Sequence, residues 1–468
     1  MKLPVWLLET LLLLCLLAVA FPLAMATRTG QFREPDTREN LMIALNLLRY
    51  RVYSTQEAKG GILPSPTTKR EPLYPTLLAF WMAALRDENS FADPPALDSL
   101  DPGFAYRLKS LNVILHLGLV LASWWAARCF FARPWPALAV AVLMAFNSSM
   151  LSTIDVFLTE IPAALLLATS GTLIWLTYTR KSAGYAILGG LSLGALALTR
   201  AVFFYFLILA AVGAAVWLAA VELRRNRRQR SATARWVAMA LVALAVYSPW
   251  FVRNQRLGET LQVDARAEDV LAIRAEYSTM SWRQYAASFF FFTPAVGPRL
   301  TAAVFGEQTA RSFDRSMPES FFQKALSGTG EVQRTATARS LSTRQAAMRV
   351  MVEHLPMMSL LTLPFAYRGA FVQVGFNVRR VPAALLYFSL VCSVFFVPAL
   401  IALTIRLARK RDPRWLFLVP ALYSYAFHSL ITHYIPRYSV PLVPIFLIAL
   451  VSVIGLKHEA GRTNTVPE

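Results

Sequence analysis

The polar residues of this chain that can do chemistry gather between Arg28 and Leu85. Asp36 follows a proline and opens a run in which Leu41, Ala44, Leu45 and Leu48 recur at helical spacing. Such a run makes an amphipathic helix lying on a membrane, with a carboxylate at its head. Glu39, three residues on, supplies the spacing of a capping box, in which the Asp oxygen accepts from first-turn amides. The same carboxylate can take a proton from a hydroxyl, and the two roles are compatible on different oxygens. After a link rich in Gly, Pro, Ser and Thr, the residues Arg70, Glu71, Pro72, Tyr74 and Pro75 open a second apolar run. It is shorter than the roughly 20 residues that a bilayer crossing needs and reads as a second interfacial helix.

The elements that must position these groups follow from composition. The chain has 468 residues, 56% of them hydrophobic and 16% charged, with a mean hydropathy of +0.46. That excludes an ordinary soluble globule and implies an all-α integral membrane protein. Lys and Arg total 47 against 27 Asp and Glu, for a net charge of +20. On one soluble face such an excess would point to nucleic acid. Here many of the basic residues sit in short runs between hydrophobic segments, as the positive-inside rule requires, so membrane lipids are the implied partner and nucleic acid is not. Cys15, Cys129 and Cys392 lie in or beside apolar runs without paired spacing, which supports neither a disulfide framework nor a zinc site. His428, His433 and His458 have no ligand spacing either, so neither a metal nor a cofactor is expected.

Hydropathy and loop charge together divide the chain. Residues 1–26 are expected to form a retained first transmembrane helix, and residues 27–103 an outer loop holding both interfacial helices and the acidic, proline-rich stretch RDENSFADPPALDSLDPGF. Residues 104–252 carry spans two to seven, near Phe104 to Ala127, Trp135 to Phe146, Thr159 to Tyr178, a hairpin from Tyr185 to Leu223 that turns outside at Thr199 and Arg200, and Trp236 to Phe251. The basic runs ARCFFARP and ELRRNRRQRSATAR mark the cytoplasmic side. Residues 253–381 form a long outer loop, with Phe289 to Phe292 as an aromatic anchor at the interface or a groove for a lipid chain. Residues 382–456 carry the last spans, near Pro382 to Ile405, Trp415 to Ile431 and Ser439 to Leu456, and residues 457–468 are a cytoplasmic tail. The count is about ten crossings with both ends inside.

Read together, the outward-facing segments resemble the GT-C class of membrane glycosyltransferases, and within it the family of protein O-mannosyltransferases and aminoarabinose transferases that use polyprenyl-phosphate sugars. The matching motifs occur in the family's order. They are PDTRENLMIALNLL with Asp36, then Arg70-Glu71-Pro72-Leu73-Tyr74-Pro75, Thr159-Glu160, Leu198-Thr199-Arg200, Pro249-Trp250-Phe251-Val252-Arg253-Asn254, and Arg437-Tyr438-Ser439-Val440-Pro441-Leu442-Val443-Pro444. Two positions depart from the family pattern. Thr37 follows Asp36 where many members carry a second acid, and Glu71 stands where the signature has proline.

The resemblance implies an enzyme of GT-C type that moves a sugar, a hexose or pentose, from a polyprenyl-phosphate donor to an acceptor hydroxyl outside the inner cell membrane, with inversion. It implies Asp36 as the catalytic base. Arg70, Tyr74, Glu160, Arg200, Arg253, Arg437 and Tyr438 would contact the donor phosphate or the acceptor, which is an unspecified glycan, lipid or protein. Arginine suits a phosphate because it stays charged and can bind two oxygens at once, although arginines at helix ends also snorkel to lipid headgroups. Hydropathy alone equally fits a transporter or lipid flippase, and a non-catalytic glycan-assembly protein could share the scaffold. Against a transporter, the chain shows no internal repeat and its polar residues lie in outer loops.

Overall fold

A computed structural model of the protein describes residues 4–32, 35–58, 62–85, 101–131, 133–223, 227–258, 267–372 and 380–460. The acidic stretch 86–100, most of the tail, the middle of the link at 59–61 and part of the basic run at 224–226 lie outside the described residues. Helices account for nearly all regular structure, and no strand occurs among the described residues. Contacts group the chain into two units, one of residues 1–261, 374–421 and 440–468, the other of residues 262–373 and 422–439.

The first unit carries long apolar helices. Among the described residues six helices are long and apolar enough to cross a membrane: Val5–Ala26, Pro102–Phe130, Glu160–Arg180, Thr233–Arg256, Ala383–Arg409 and Pro436–Gly455. The protein is therefore a multi-pass membrane protein. The other expected spans coincide with shorter apolar helices at Pro134–Ala145, Ala183–Ala197, Val202–Gly213 and Trp415–Ile431.

Helix α1 (Val5–Ala26) has one acidic residue, Glu9, and it is buried. Its carboxylate accepts from Trp124 Nε1 at 3.0 Å and pairs with Arg128 Nε at 2.9 Å. A charge in an apolar helix is tolerable only with such partners, and these tie α1 to the helix Ser110–Phe130. Gly190 and Gly194 lie one turn apart on Ala183–Ala197, where their bare backbone meets the helix Arg227–Arg256. A Cβ on Gly190 would fall 2.6 Å from the Met239 carbonyl oxygen, and one on Gly194 would fall 2.6 Å from Val246 Cβ. Small residues at this spacing let two helices approach backbone to backbone. The contact matters because Ala183–Ala197 runs directly into the Leu198-Thr199-Arg200 turn.

Two shorter helices, α2 (Pro35–Tyr50) and α3 (Leu73–Leu85), bury their apolar faces together, with Leu41, Leu45, Tyr74, Leu78 and Met82 in one cluster with Phe104, Leu108 and Phe157. Pro35 takes the first helical position, which its fixed φ suits. Asp36 is consequently the second helical residue, inside the first turn, and not the cap that the capping-box spacing suggests.

The second unit is built of short helices, beginning with Ala267–Ser278 and Trp282–Phe291 and ending with Thr362–Ala370. Capping boxes at Ser281 with Gln284 and at Ser342 with Gln345 start two of them. Its core is aromatic, with Tyr277, Phe292, Phe313, Phe321, Phe365 and Tyr434 buried together. Burying one phenylalanine contributes about 2–3 kcal/mol, so these rings supply much of what so short a set of helices needs. The Phe289 to Phe292 run is divided by this core: Phe292 is inside it, while Phe290 is exposed. The run is therefore no single interfacial anchor.

Candidate active site

The loop before α2 is pinned from below. Lys109 Nζ pairs with Asp155 Oδ1 at 2.7 Å, both side chains buried, and also donates to the Gln31 carbonyl at 2.7 Å. Thr29 donates its amide and its hydroxyl to the same Asp155 carboxylate, at 2.5 and 2.9 Å. Helix α2 is then docked on the segment leading to Glu160: Thr37 Oγ1 accepts from the Phe157 amide at 3.0 Å, and Asn40 Nδ2 donates to the Phe157 carbonyl at 2.7 Å. One and four residues past Asp36, these contacts fix the rotation of the helix and hence the direction of its acidic turn.

That turn meets Arg70. Its guanidinium pairs with the Asp36 carboxylate through Nη2 and with Glu39 through Nε at 2.6 Å, while Glu39 also holds Lys69 at 3.0 Å. Burial opposes the Arg70 charge, but Asp36 and Glu39 outweigh it and hold the guanidinium above its ordinary range. Exposure separates the acids. The side chains of Asp36 and Glu39 are 24% and 23% exposed, whereas Glu160 is at 0%. A hydroxyl arriving from solvent can therefore reach the first two and not the third.

Glu160, at the first position of its helix, accepts from Arg200 Nη2 at 2.9 Å. The Leu198-Thr199-Arg200 turn that presents Arg200 is held by the residues that open α3. Leu73 donates its amide to the Leu198 carbonyl at 3.0 Å, and Glu71 accepts from the Ala201 amide at 3.0 Å. The glutamate that departs from the family signature thus caps this turn. Tyr74 is fully buried and donates to Asn112 Oδ1 at 2.7 Å, and Asn112 in turn donates to the Ile154 and Val156 carbonyls at 3.1 and 2.8 Å.

Arg253 stacks its guanidinium over Trp250, 4.6 Å from the ring centroid, and donates to the Thr67 carbonyl at 3.1 Å. The Tyr53 ring lies against Trp250 at 4.9 Å, and its hydroxyl donates to the Arg70 carbonyl at 2.9 Å. Burial and the nearby Glu71 charge hold the Tyr53 phenol well above its usual range, against the pull of Arg253 and Arg70, so it remains a donor. The Pro-Trp-x-x-Arg-Asn segment thereby clamps the link between α2 and α3 and sets the backbone that carries Arg70.

Of the residues singled out by sequence, Asp36, Arg70, Tyr74, Glu160, Arg200 and Arg253 belong to one connected network in the first unit. Arg437 and Tyr438 lie in the second, on the 3-10 helix Pro436–Leu442, where Tyr438 stacks on His428 with ring centroids 4.3 Å apart. Sequence reasoning did not find Thr37, Asn40, Tyr53, Asn112 or the Lys109 and Asp155 pair. Asn112 carried a usable signal, since an amide in an apolar span must face a polar partner. Among the described residues no group of three His, Cys, Asp or Glu is placed to hold a metal ion.

No family model matches the chain, and no curated protein matches it. Among solved structures its fold is similar to the oligosaccharyltransferase AglB from Archaeoglobus fulgidus in complex with an inhibitory peptide and a dolichol-phosphate. That similarity has 14% identity and a TM-score of 0.48, over 97% of this chain and 52% of the other. It is also similar to ArnT from Cupriavidus metallidurans bound to undecaprenyl phosphate, at 13% identity and a TM-score of 0.38, over 98% of this chain and 81% of the other. This chain spans about half the length of the archaeal chain. Both neighbours are GT-C glycosyltransferases, the class that the sequence motifs resemble. At such identities and scores the likeness describes helix arrangement and assigns no activity to this chain.

Proposed function

We propose that the protein is a GT-C type glycosyltransferase that moves one sugar from a polyprenyl-phosphate donor to an acceptor hydroxyl at the outer face of the membrane, with inversion. The observation that carries this reading is the partly exposed Asp36 and Glu39 pair set against Arg70 by contacts that leave α2 no rotational freedom. In the reaction the acceptor oxygen attacks C1 of the sugar from the face opposite the phosphate. Its proton passes to the Asp36 carboxylate, the C1–O bond to phosphate breaks, and the electron pair leaves on polyprenyl phosphate. One carboxylate suffices as the base.

Arg70 stands beside that base. Its Nε and Nη2 are engaged by the two acids, and Nη1 has no protein partner among the described residues. In this proposal Nη1 meets a donor phosphate oxygen as the leaving group gains charge. Arg200 and Arg253 act at one remove, the first by holding Glu160 and the second by holding the link behind Arg70. Tyr74 likewise positions, through Asn112. Arg437 and Tyr438 are assigned to donor or acceptor contact on the strength of the motif resemblance. Purified protein in detergent, offered a panel of polyprenyl-phosphate sugars with hydroxyl acceptors, should release free polyprenyl phosphate with at least one of them. Transfer with no member, alongside intact folding, would overturn the reading.

A further inference from the structure

The second unit presents an apolar face that its own core does not use. On Trp282–Phe291 the exposed residues Trp282, Ala286 and Phe290 recur every fourth position, and Val296, Leu300 and Val304 do the same on and just before Gly297–Phe305. Of the Phe289 to Phe292 run only Phe290 is exposed. The two stripes belong to one hairpin. The Phe290 and Phe305 rings meet edge to face with centroids 5.2 Å apart, and Arg283 Nη2 donates to the Phe305 carbonyl at 2.8 Å, tying the start of the first helix to the end of the second. Gly297 permits the tight return, since a Cβ there would fall 2.2 Å from the Phe291 carbonyl oxygen.

Single exposed apolar residues are ordinary, but a clustered set of large ones marks a surface for a partner. Trp282 and Val304 are 65% and 56% exposed. Charge narrows the partner. Between Thr279 and Gly306 the chain has two charged residues, Arg283 and Arg299, both exposed and both positive. A symmetric contact with a second copy would set these like charges against each other, because an isologous interface repeats one patch on both sides. An anionic lipid surface pairs with them instead, and a tryptophan at such a boundary keeps its ring in lipid and its N–H among the headgroups. The same unit also holds the ends of membrane helices. Its residues 422–439 include the end of the apolar helix Trp415–Ile431 and the start of the span Pro436–Gly455. The hairpin is packed onto those ends through Thr362–Ala370. The Thr293 and Tyr367 hydroxyls are 2.9 Å apart and the Phe289 and Tyr367 rings 5.7 Å apart, while the Ala366 carbonyl accepts from Tyr425 and the Gly369 carbonyl from Ser439, each at 2.5 Å. At 10 and 9 residues the two helices are far short of the roughly 20 that a crossing needs, so a lipid contact lays them along the bilayer surface.

We infer that this hairpin seats the second unit in the headgroup region of the membrane that the protein spans, with Trp282, Phe290, Val296, Leu300 and Val304 in lipid and Arg283 and Arg299 at anionic headgroups. Each arginine near such a surface contributes about 1 kcal/mol, and the apolar stripe adds the area it removes from water. The inference is read by immersion and makes no use of sugar transfer, so it stands or falls separately from the function proposed above.

The test uses the full-length protein with Cys15, Cys129 and Cys392 replaced by serine, one copy per nanodisc of phosphatidylcholine and phosphatidylglycerol. A nitroxide is attached in turn to Ala286→Cys, Leu300→Cys and Val304→Cys, and to Arg334→Cys on an exposed helix of the same unit as the aqueous control. Relaxation by oxygen against a water-soluble nickel chelate reads depth. The three hairpin labels should lie about 5–10 Å into the boundary between headgroups and acyl chains, and the Arg334 label should stay in water. Raising the phosphatidylglycerol share should increase the immersed fraction, and Arg299→Gln should blunt that increase. Hairpin labels as open to nickel as the control, in protein whose melting temperature matches its parent, would overturn the inference. So would an immersed fraction indifferent to phosphatidylglycerol, or protection that appears only with two copies per disc together with dipolar broadening between their labels, which would put a second copy on this face.

Discussion

Replacing Asp36 by Asn separates a catalytic carboxylate from one that merely holds Arg70. The side chains of Asp36 and Arg70 are 24% and 11% exposed, and Glu39 remains on the same guanidinium at 2.6 Å. The Asn oxygen can still accept from Arg70, so the structural loss is one ion pair's charge in a partly solvated place, roughly 1 kcal/mol. In a chain of 468 residues that lowers the melting temperature by only a few degrees at most. Loss of a general base is far larger, on the order of 10²- to 10⁴-fold in turnover, or about 2.7–5.5 kcal/mol of barrier. The assay is release of polyprenyl phosphate from a labelled donor at matched protein concentration, with the melting curve recorded on the same preparation. Glu39→Gln is the control, because it takes an equal charge from Arg70 and also frees Lys69. It should cost as much stability or more while turnover falls less than tenfold. If Asp36→Asn keeps more than a tenth of wild-type turnover, or if Glu39→Gln slows the enzyme just as much, Asp36 is an anchor for Arg70 and the assignment of the base is wrong.

Arg200→Ala leaves Glu160 without its guanidinium in a fully buried place, so a destabilisation of roughly 3–5 kcal/mol is expected; adding Glu160→Gln should recover part of the lost melting temperature, and no recovery would contradict the pairing. Gly194→Val sets a side chain where a Cβ already falls 2.6 Å from Val246 and 2.8 Å from the Ala243 carbonyl. It should separate the two helices, broaden the size-exclusion peak and cost on the order of 1–3 kcal/mol or more in thermal stability. Single cysteines placed at Arg38 and Arg311 should react with a membrane-impermeant reagent in intact cells, and those at Arg227 and Arg409 should not. Labelling at Arg227 would sink the proposed orientation and with it the outer location of the site.

Much of the architecture was written locally. Apolar runs of membrane length, basic turns between them and the amphipathic period after Pro35 depend only on near neighbours, and the helices fall where those patterns put them. The turn at Thr199 and Arg200 was equally legible, because a charged pair interrupts an apolar stretch too long for one crossing. The residue types of the candidate site were also visible, as acids and arginines concentrated in the segments between apolar runs. What each of them does there was not. Arg70, Arg200 and Arg253 are alike in sequence, each an arginine at the edge of an apolar run. The structure gives the first to two acids, the second to a buried glutamate and the third to a tryptophan face and a loop carbonyl. Apart from Trp250, three residues before Arg253, those partners lie 31 or more residues away along the chain. Which guanidinium finds which acceptor is therefore set by how the helices dock: by Gly190 and Gly194 admitting a neighbouring backbone, and by Thr37 and Asn40 locking α2 against Phe157. Hydropathy reads one segment against water or lipid. Charge pairing reads two segments against each other, and only the packed chain brings them within reach.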